Sequence, residues 1–469
     1  MVGGGRKGEG EEREDYRFLK LNDAMACIGQ KVNLVGVLLE FGFPHTTKGT
    51  DFNCSLRIID ESCSQLGVSV NCFAGKPEQL PIVASPGDII QLSRVEIKRL
   101  DGKVYALFNK KFSSFALYDG NTTDYTPYQV SARFHKRESD KRSIMDLQKW
   151  FAKFEVVPDE KERHYIKDIK LGLRLNMTCM ILHKQEVSKN EWIIYLWDGT
   201  DTPDNSMQSR LADEMDNPIP LQLEAEPLSR DLLCSFPSVG SILRVVLDKG
   251  MKHLGLGLLK AGEWVNLSSI ICEVHSGLWR GLFMPITKFR VAPKEFVSRC
   301  LRDYDDRFST KYGHVPGSSL TLPSPIAEID DVDVPFVTLM EVLCSSEAIA
   351  KFKCMVRVVA TVPYEAKDFL SPKGIYRIRL TLEDPTARVH AFVYDEDGAT
   401  FFQGYPSHDI LQRSMNQLLG LDENYDGNGT EYTERNPPVI QCCLKTYYLN
   451  KDDIWGTRCF RVFGTRLVC

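Results

Sequence analysis

The sequence lacks an excess of positive charge. Its 58 lysines and arginines are outnumbered by 63 aspartates and glutamates, which leaves a formal net charge of −5. This balance argues against a protein that binds nucleic acid through bulk charge, as histones do. A basic groove on one part of the chain is compatible with it, because electrostatic steering depends on the local charge distribution.

The sequence also lacks the cysteine pairs of a metal site or a disulfide framework. Fourteen cysteines are present, but none forms a C-x-x-C pair and only Cys442 and Cys443 are adjacent. Most lie in apolar runs, where a free thiol behaves as a small hydrophobic residue. We therefore expect reduced, structural cysteines in a reducing compartment, with no metal and no other cofactor.

Targeting signals and catalytic motifs are missing as well. The N-terminal segment Met1–Lys7 has no apolar core of a signal peptide, and no run of about 18 apolar residues occurs, so no membrane association is expected. The sequence has no H-E-x-x-H, G-x-x-x-x-G-K-[ST] or G-x-S-x-G motif. The nine histidines are isolated. We expect a protein that is not an enzyme.

What the sequence does contain is one pattern in three copies. In each copy a β-like run ends in an acid-rich turn that is closed by Ser or Thr. The copies are Leu56–Ser62, Trp192–Thr200 and Tyr376–Thr386. Further β-like runs precede and follow each copy. The pattern therefore predicts an array of small all-β modules, which fits the two to four domains expected of 469 residues.

The order of β-like runs indicates the type of module. The first module has about five strands in about 100 residues, with room for a helix between the third and fourth, as in an OB-fold. The second module repeats this order, and Ser238–Val245 matches Ser85–Leu92 almost position for position. We predict an all-β dominated chain of tandem OB-folds, three five-stranded Greek-key barrels joined by helices and a linker rich in Pro, Ser and Asp.

Composition and helical spacing set the predicted boundaries. The linker is expected to let the third barrel move relative to the first two. The predicted domains are a disordered N-terminus (1–15), a first OB-fold that binds single-stranded DNA (16–135), a connecting helix (136–160), a second OB-fold that binds single-stranded DNA (161–308), the linker (309–335) and a C-terminal OB-fold for protein interaction (336–469).

The candidate site residues come from the usual chemistry of OB arrays, which bind single-stranded nucleic acid with aromatic stacking platforms in a basic groove. Phe73 is out of phase with the apolar residues before it and is predicted to face outward. The alternative for the two other phenylalanines is a core position, and for the basic cluster a solvated edge. The candidates are Phe41, Phe43, Lys48, Phe73, Arg94, Lys98, Arg99 and Lys103.

A family resemblance rests on motifs that occur in order in all three modules. These motifs are Lys48–Phe52, Leu56–Ser62, Phe73–Gly75 and Leu80–Ile82 in the first, Tyr165–Gly172 and Trp197–Thr200 in the second, and Arg357–Ala360, Thr381–Asp384 and Phe463–Leu467 in the third. From about Tyr16 to Cys469 the chain resembles the protection-of-telomeres family, in its plant form.

The resemblance implies a function and some site residues. It implies binding of the G-rich single-stranded telomere overhang through the first two OB-folds, a nuclear location at the telomeric region of chromosomes, and contacts of the third with the telomerase ribonucleoprotein and other telomere end-binding proteins. Phe73 matches a base-stacking Phe and Arg94 a basic contact. Phe41 falls in an aromatic pair of the family, in which Glu40 and Gly42 replace an aromatic and a basic residue.

The resemblance also bears on metal binding. Animal members carry a zinc-binding insertion in the third OB-fold, and Phe369–Gly374 bridges that point directly here. This implies no metal.

Three hypotheses follow. The first is a non-catalytic binder of telomeric single strands that protects chromosome ends and regulates telomerase access. The second is a protein-interaction scaffold whose OB-folds have weak or lost DNA binding. The third, an OB-containing synthetase-type enzyme, is disfavoured because no nucleotide-binding segment is left unassigned.

Overall fold

The computed structural model describes most of the chain. The described residues are 17–122, 125–155, 164–188, 191–208, 210–215, 217, 219–224, 226–247, 256, 259–310, 313–315, 323–330, 333–422, 425 and 433–468. The predicted N-terminal disorder (1–15) lies outside them. Within these ranges no helix is long and apolar enough to cross a membrane.

Strands dominate the secondary structure. The strands are β1 (Lys31–Phe41), β2 (His45–Thr46), β3 (Phe52–Ile59), β4 (Val68–Ala74), β5 (Ile89–Leu100), β6 (Lys103–Asn109), β7 (Ser114–Tyr118), β8 (Gln129–Val130), β9 (Arg174–Ser188), β10 (Glu191–Trp197), β11 (Leu243–Leu247), β12 (Trp264–His275), β13 (Leu278–Phe283), β14 (Lys288–Val291), β15 (Ala327–Ile329), β16 (Lys351–Val362), β17 (Arg377–Glu383), β18 (Arg388–Tyr394), β19 (Val439–Tyr448), β20 (Arg458–Val462) and β21 (Thr465–Leu467). The helices are α1 (Leu21–Ala24), α2 (Asp140–Lys153), α3 (Arg230–Leu233), α4 (Lys294–Ser309), α5 (Leu339–Cys344), α6 (Glu396–Phe401) and α7 (His408–Leu418).

The pairing pattern closes three rings of five strands. In each ring the first strand pairs antiparallel with the second and fourth, and the third pairs parallel with the fifth. The rings are β1, β3, β4, β5 and β6, then β9 to β13, then β16 to β20. This is the OB-fold topology, and the predicted fold class is confirmed. In the third barrel, α6 and α7 occupy the predicted place between the third and fourth strands.

The chain divides into two compact units, each made of segments that are not continuous in the sequence. The first unit comprises 1–158 together with 249–260 and 285–293, and the second comprises the remainder. The second unit thus contains both the second and the third barrel. The segment predicted as the linker contains β15, which pairs antiparallel with β21 at the end of the chain. Part of the predicted linker (309–335) is therefore held by backbone hydrogen bonds to the last strand.

The turn after the second strand has a structural role in the first barrel. The Asp60 carboxylate is buried and accepts hydrogen bonds through Oδ1 from the Ser62 backbone N–H (2.8 Å) and hydroxyl (2.6 Å). Its Oδ2 accepts from the N–H of Leu21, the first residue of α1, at 2.9 Å. The next N–H, of Asn22, donates to the Ser62 hydroxyl at 3.1 Å. One turn therefore caps the short helix that enters the barrel.

The same set of hydrogen bonds recurs in the other two barrels. Asp198 and Asp384 each hold the Thr two residues later and the first N–H of a short helical turn, while that Thr hydroxyl accepts from the next N–H. Asp198 accepts from Thr200 and Ile166, and the Thr200 hydroxyl accepts from the N–H of Lys167. Asp384 accepts from Thr386 and Leu339, and the Thr386 hydroxyl accepts from the N–H of Met340. Burial raises the pKa of both carboxyls, for Asp384 to about 6. The hydrogen bonds oppose that shift by stabilising the ionised form.

One predicted correspondence between the modules is wrong. Ser85–Leu92 leads into β5, the fourth strand of its barrel, whereas Ser238–Val245 leads into β11, the third strand of the second barrel. Both segments contain a glycine with positive φ, Gly87 at 99° and Gly240 at 88°. The shared letters therefore encode the same local turn before a strand, and not the same place in the topology.

The Asp60 turn gives a stability prediction. In Asp60→Asn the amide keeps one acceptor oxygen but turns an NH2 group toward backbone N–H donors, so at least one buried donor loses its partner. We expect the free energy of unfolding in urea to fall by about 1–3 kcal/mol, with loss of hydrogen-exchange protection at the Leu21 and Ser62 amides. Asp146→Asn, at an exposed position on α2, is the matched control. Equal stability of the two variants would contradict the capping role.

Candidate nucleic-acid interface

The ligand face of an OB-fold is the outer surface of its second and third strands, bordered by the loops between strands one and two and between strands four and five. In the first barrel this face lies on β3 and β4. Along β4, Val68, Val70 and Cys72 are buried in the barrel. The alternate side chains therefore point outward.

Phe73 lies on the first barrel's ligand face, near the end of β4. It is half-buried and follows the inward-facing Cys72. Its register partners are Asn53 on β3 and Asn109 on the parallel strand β6. The predicted outward orientation of Phe73 agrees with this geometry. An aromatic ring between amide side chains offers a stacking surface with hydrogen-bonding groups at its sides.

Arg94 lies at a β-bulge beside Phe73 and its register partners. The pairing of β1 with β5 shifts by one residue here, and Arg94 takes a left-handed conformation with φ 57°. Its N–H donates to Asn33 Oδ1 at 2.9 Å, and its carbonyl accepts from the Ser113 hydroxyl at 2.8 Å. Ser113 Oγ also accepts from the Asn109 N–H at 3.1 Å. The bulge therefore holds an exposed cationic side chain near the partner strand of Phe73.

The four lysine and arginine candidates that remain lie at the margins of the face. Lys48 is exposed in the loop between β2 and β3. Arg99 and Lys103 are exposed at the β5–β6 hairpin. Lys98 pairs in register with Tyr105 and lies 3.5 Å from Glu96. The structure thus places them at the two loops that border an OB ligand face.

The prediction that Phe41 and Phe43 form stacking platforms is wrong. Their exposed fractions are 1% and 2%. Their rings pack against Phe289 of β14 with centroid distances of 5.3 Å and 5.2 Å. The physical reason is that β14 belongs to the first unit and pairs with the end of β1, which places Phe289 opposite Phe41.

Glu40 explains why the sequence departs from the family pattern at this point. It is buried, and it accepts hydrogen bonds from Lys288 Nζ at 2.6 Å and Arg290 Nε at 2.5 Å. Burial alone would raise the pKa of Glu40, but Lys288 and Arg290 hold it below its usual value. Glu40 thus fixes β14 to β1, and its negative charge is compensated by Lys288 and Arg290.

Sequence reasoning missed an outward row across four strands. Arg57 pairs with Ser69, Ser69 with Tyr105, and Tyr105 with Lys98. Tyr105 is a second half-buried aromatic on the face. The outward position of Tyr105 could have been read from the sequence of β6. Ala106 and Phe108 are the inward residues of this strand, and a period of two then places Tyr105 outside.

The ligand face of the second barrel is covered. Ile193 and Tyr195 occupy the outward positions of β10, with exposed fractions of 1% and 0%. They belong to a cluster formed with the segment between β10 and β11 and with α5. The covering residues are Leu223, Leu228, Leu232, Leu233, Phe236, Ile242, Met340 and Cys344. Among the described residues of 161–308, for which a DNA-binding role is predicted, these outward positions of β10 are therefore not open to a ligand.

In the described part of the chain, side chains of the types that bind metal ions form no metal site. No group of three or more His, Cys, Asp or Glu that could hold a metal ion occurs among the residues that the structure describes. The cysteines in that part of the chain are free thiols.

An open ligand face with outward aromatic residues and basic margins is typical of OB-fold proteins that bind single-stranded nucleic acid. Comparison with known proteins narrows this class. A family described as "Telomeric single stranded DNA binding POT1/CDC13" matches residues 12–161, and one described as "POT1A-like, OB fold domain" matches 322–453.

Two full-length relatives are from Arabidopsis thaliana. Protection of telomeres protein 1a is 35% identical over 98% of this chain and 99% of its own length, and protein 1b is 35% identical over 97% and 99%. A crystal structure of fission yeast Pot1 with single-stranded DNA covers 63% of this chain and 96% of its own, with a TM-score of 0.28 and 15% identity. The chain belongs to the protection-of-telomeres family.

Glu40 gives a pH-dependent prediction. In Glu40→Gln the two cations on β14 lose their charged partner, and we expect the free energy of unfolding at pH 7 to fall by about 1.5–3 kcal/mol. Because the pKa of Glu40 is lowered on folding, its contribution is present above the unfolded pKa of about 4.3 and is lost as the pH falls further. The difference between wild type and variant should therefore shrink toward pH 3. Exposed Glu138→Gln is the control, and a difference independent of pH would contradict the ion pair.

Proposed function

We propose that the protein binds the G-rich single strand of telomeric DNA through the ligand face of its first barrel, without catalysis, and that it thereby protects chromosome ends and regulates access of telomerase. The observation that carries the proposal is Phe73, half-buried on that face between Asn53 and Asn109. A base stacks on its ring, while Arg94 and the basic loops contact the phosphates.

Family membership supports the choice of ligand. The family match over 12–161 spans the whole first barrel, and its description is telomeric single-stranded DNA binding. The negative net charge is compatible with this ligand, because electrostatic steering depends on the local charge distribution. Selectivity for G-rich DNA would then come from the amide and hydroxyl groups beside Phe73 and Tyr105.

The proposal extends to location and partners. A protein with this ligand acts in the nucleus, at the telomeric region of chromosomes. We propose that its protein partners are the telomerase ribonucleoprotein and other telomere end-binding proteins, and that they bind the unit that contains the third barrel. A solved structure of fission yeast Pot1 with Tpz1 provides a precedent in a relative.

A scaffold function is the second candidate. It is favoured by the covered face of the second barrel, which leaves less surface for DNA than two open barrels would. Titration of the full-length chain with a telomeric G-strand oligonucleotide, its complement and the RNA equivalent across a salt series separates the two. Preferential G-strand binding is expected. Absence of G-strand binding by a folded chain that still binds purified telomerase would establish the scaffold.

The stacking role of Phe73 is tested by Phe73→Ala. We expect single-strand binding to weaken by about 1–3 kcal/mol, the usual effect of removing one base–aromatic contact, with a nearly unchanged melting temperature. Phe134→Ala, a half-buried aromatic near α2, is the control and should bind as the wild type does. A folded Phe73→Ala protein with wild-type affinity would remove Phe73 from the interface.

The role of Arg94 is tested by Arg94→Ala. If the side chain contacts phosphate, the slope of log K against log salt should fall by roughly one unit. Arg142→Ala removes the same charge from an exposed position on α2 and should leave the slope unchanged. Identical salt dependence of both variants would show that Arg94 contributes only general charge.

A further inference from the structure

The third barrel has an aromatic residue at the place that Phe73 occupies in the first. Phe73 pairs with Asn53, seven residues before the turn aspartate Asp60. In the third barrel the residue seven positions before Asp384 is Arg377, and its register partner is Tyr394. Because the Asp turn is the same in both barrels, the register places Tyr394 at the corresponding outward position, at the end of β18.

Basic side chains surround this tyrosine. Arg377 is exposed, and its guanidinium lies 5.9 Å from the centre of the Tyr394 ring. Arg461 of β20 lies 5.3 Å from the same ring and donates to the Tyr394 carbonyl at 2.7 Å. Arg461 and Lys445 share one carboxylate, Asp397. The patch formed by Arg377, Tyr394, Phe392, Asp397, Lys445 and Arg461 therefore has three cations and one anion.

The rest of this face is closed by a segment from the second barrel. The buried Glu214 carboxylate contacts Thr381 Oγ1 at 3.4 Å and His390 Nε2 at 3.3 Å. Arg379 donates to backbone carbonyls of the same segment, including that of Asn217 at 2.9 Å. Among the described residues of that segment, these contacts reach Arg379, whereas Arg377 is exposed. The segment around Glu214 therefore covers the part of the face around Thr381 and His390, and the part around Tyr394 stays accessible.

We propose that the third barrel carries a second binding site for single-stranded nucleic acid, centred on Tyr394 and Arg377. A nucleobase stacks on the accessible side of Tyr394, and Arg377 contacts the adjacent phosphate. The charge of the patch complements a polyanion, and its aromatic centre complements a base. The site goes beyond the proposed function and does not depend on it, because it lies in the unit that does not contain Phe73.

The test is photocrosslinking of the full-length chain to single strands that contain 4-thiothymidine or 4-thiouridine, with peptide mapping by mass spectrometry. The same sequence is offered as DNA and as RNA, which tells whether either sugar is preferred. We expect a crosslink in the tryptic peptide that contains Tyr394, in addition to any in the first barrel. Crosslinks confined to first-barrel peptides in both arms would overturn the proposal, whether or not the first barrel binds G-strand DNA.

Variants make the assignment specific. Arg377→Ala, at an exposed position, should lower the yield of the Tyr394 crosslink at least about fivefold, and Arg413→Ala on α7 should leave it unchanged. Tyr394→Ala should abolish it, whereas Tyr405→Ala, which removes another tyrosine with an exposed fraction of 63%, should not. Equal effects of the Arg377 and Arg413 variants would overturn the proposal, and that comparison does not depend on whether Tyr394→Ala folds.

Discussion

The buried aspartate after the second strand is the interaction on which each barrel depends. Asp60, Asp198 and Asp384 each join a strand turn to the chain segment that enters the barrel, through hydrogen bonds to backbone donors of both. Backbone donors buried without partners are costly, so the carboxylate couples closure of the ring to docking of the entry helix. It also sets the register from which outward positions can be counted.

The barrels could be predicted because their signals are local. The strand that ends in Asp and Ser or Thr specifies its own turn, and the alternation along β4 specifies which side of the sheet Phe73 occupies. The environment of Phe41 and Phe43 could not be predicted, because it depends on Phe289, which comes almost 250 residues later in the chain and lies in a three-ring cluster with them. Burial by a distant segment leaves no trace in local periodicity.

The long connection between β10 and β11 determines how much of the ligand faces of the second and third barrels stays exposed. Its leucines and Phe236 cover Ile193 and Tyr195 of the second barrel, and Glu214 in the same connection reaches the third. The family resemblance implied that the first two barrels share one role. The packing distinguishes them, since outward side chains of the second barrel form a hydrophobic core with segments of its own unit.

Residues 285–293 belong to the first unit although they lie far from residues 1–158 in the sequence, and this affects how an isolated fragment of the first barrel would behave. A polypeptide that stops near residue 158 includes every strand of the first ring but omits β14. Its Phe41 and Phe43 would lose the ring of Phe289, and Glu40 would lose its two ion-pair partners Lys288 and Arg290. Such a fragment would present two aromatic rings that the intact protein conceals. Its adhesion to bases, resins or other copies of itself would then reflect where it was cut, not the chemistry of the whole chain.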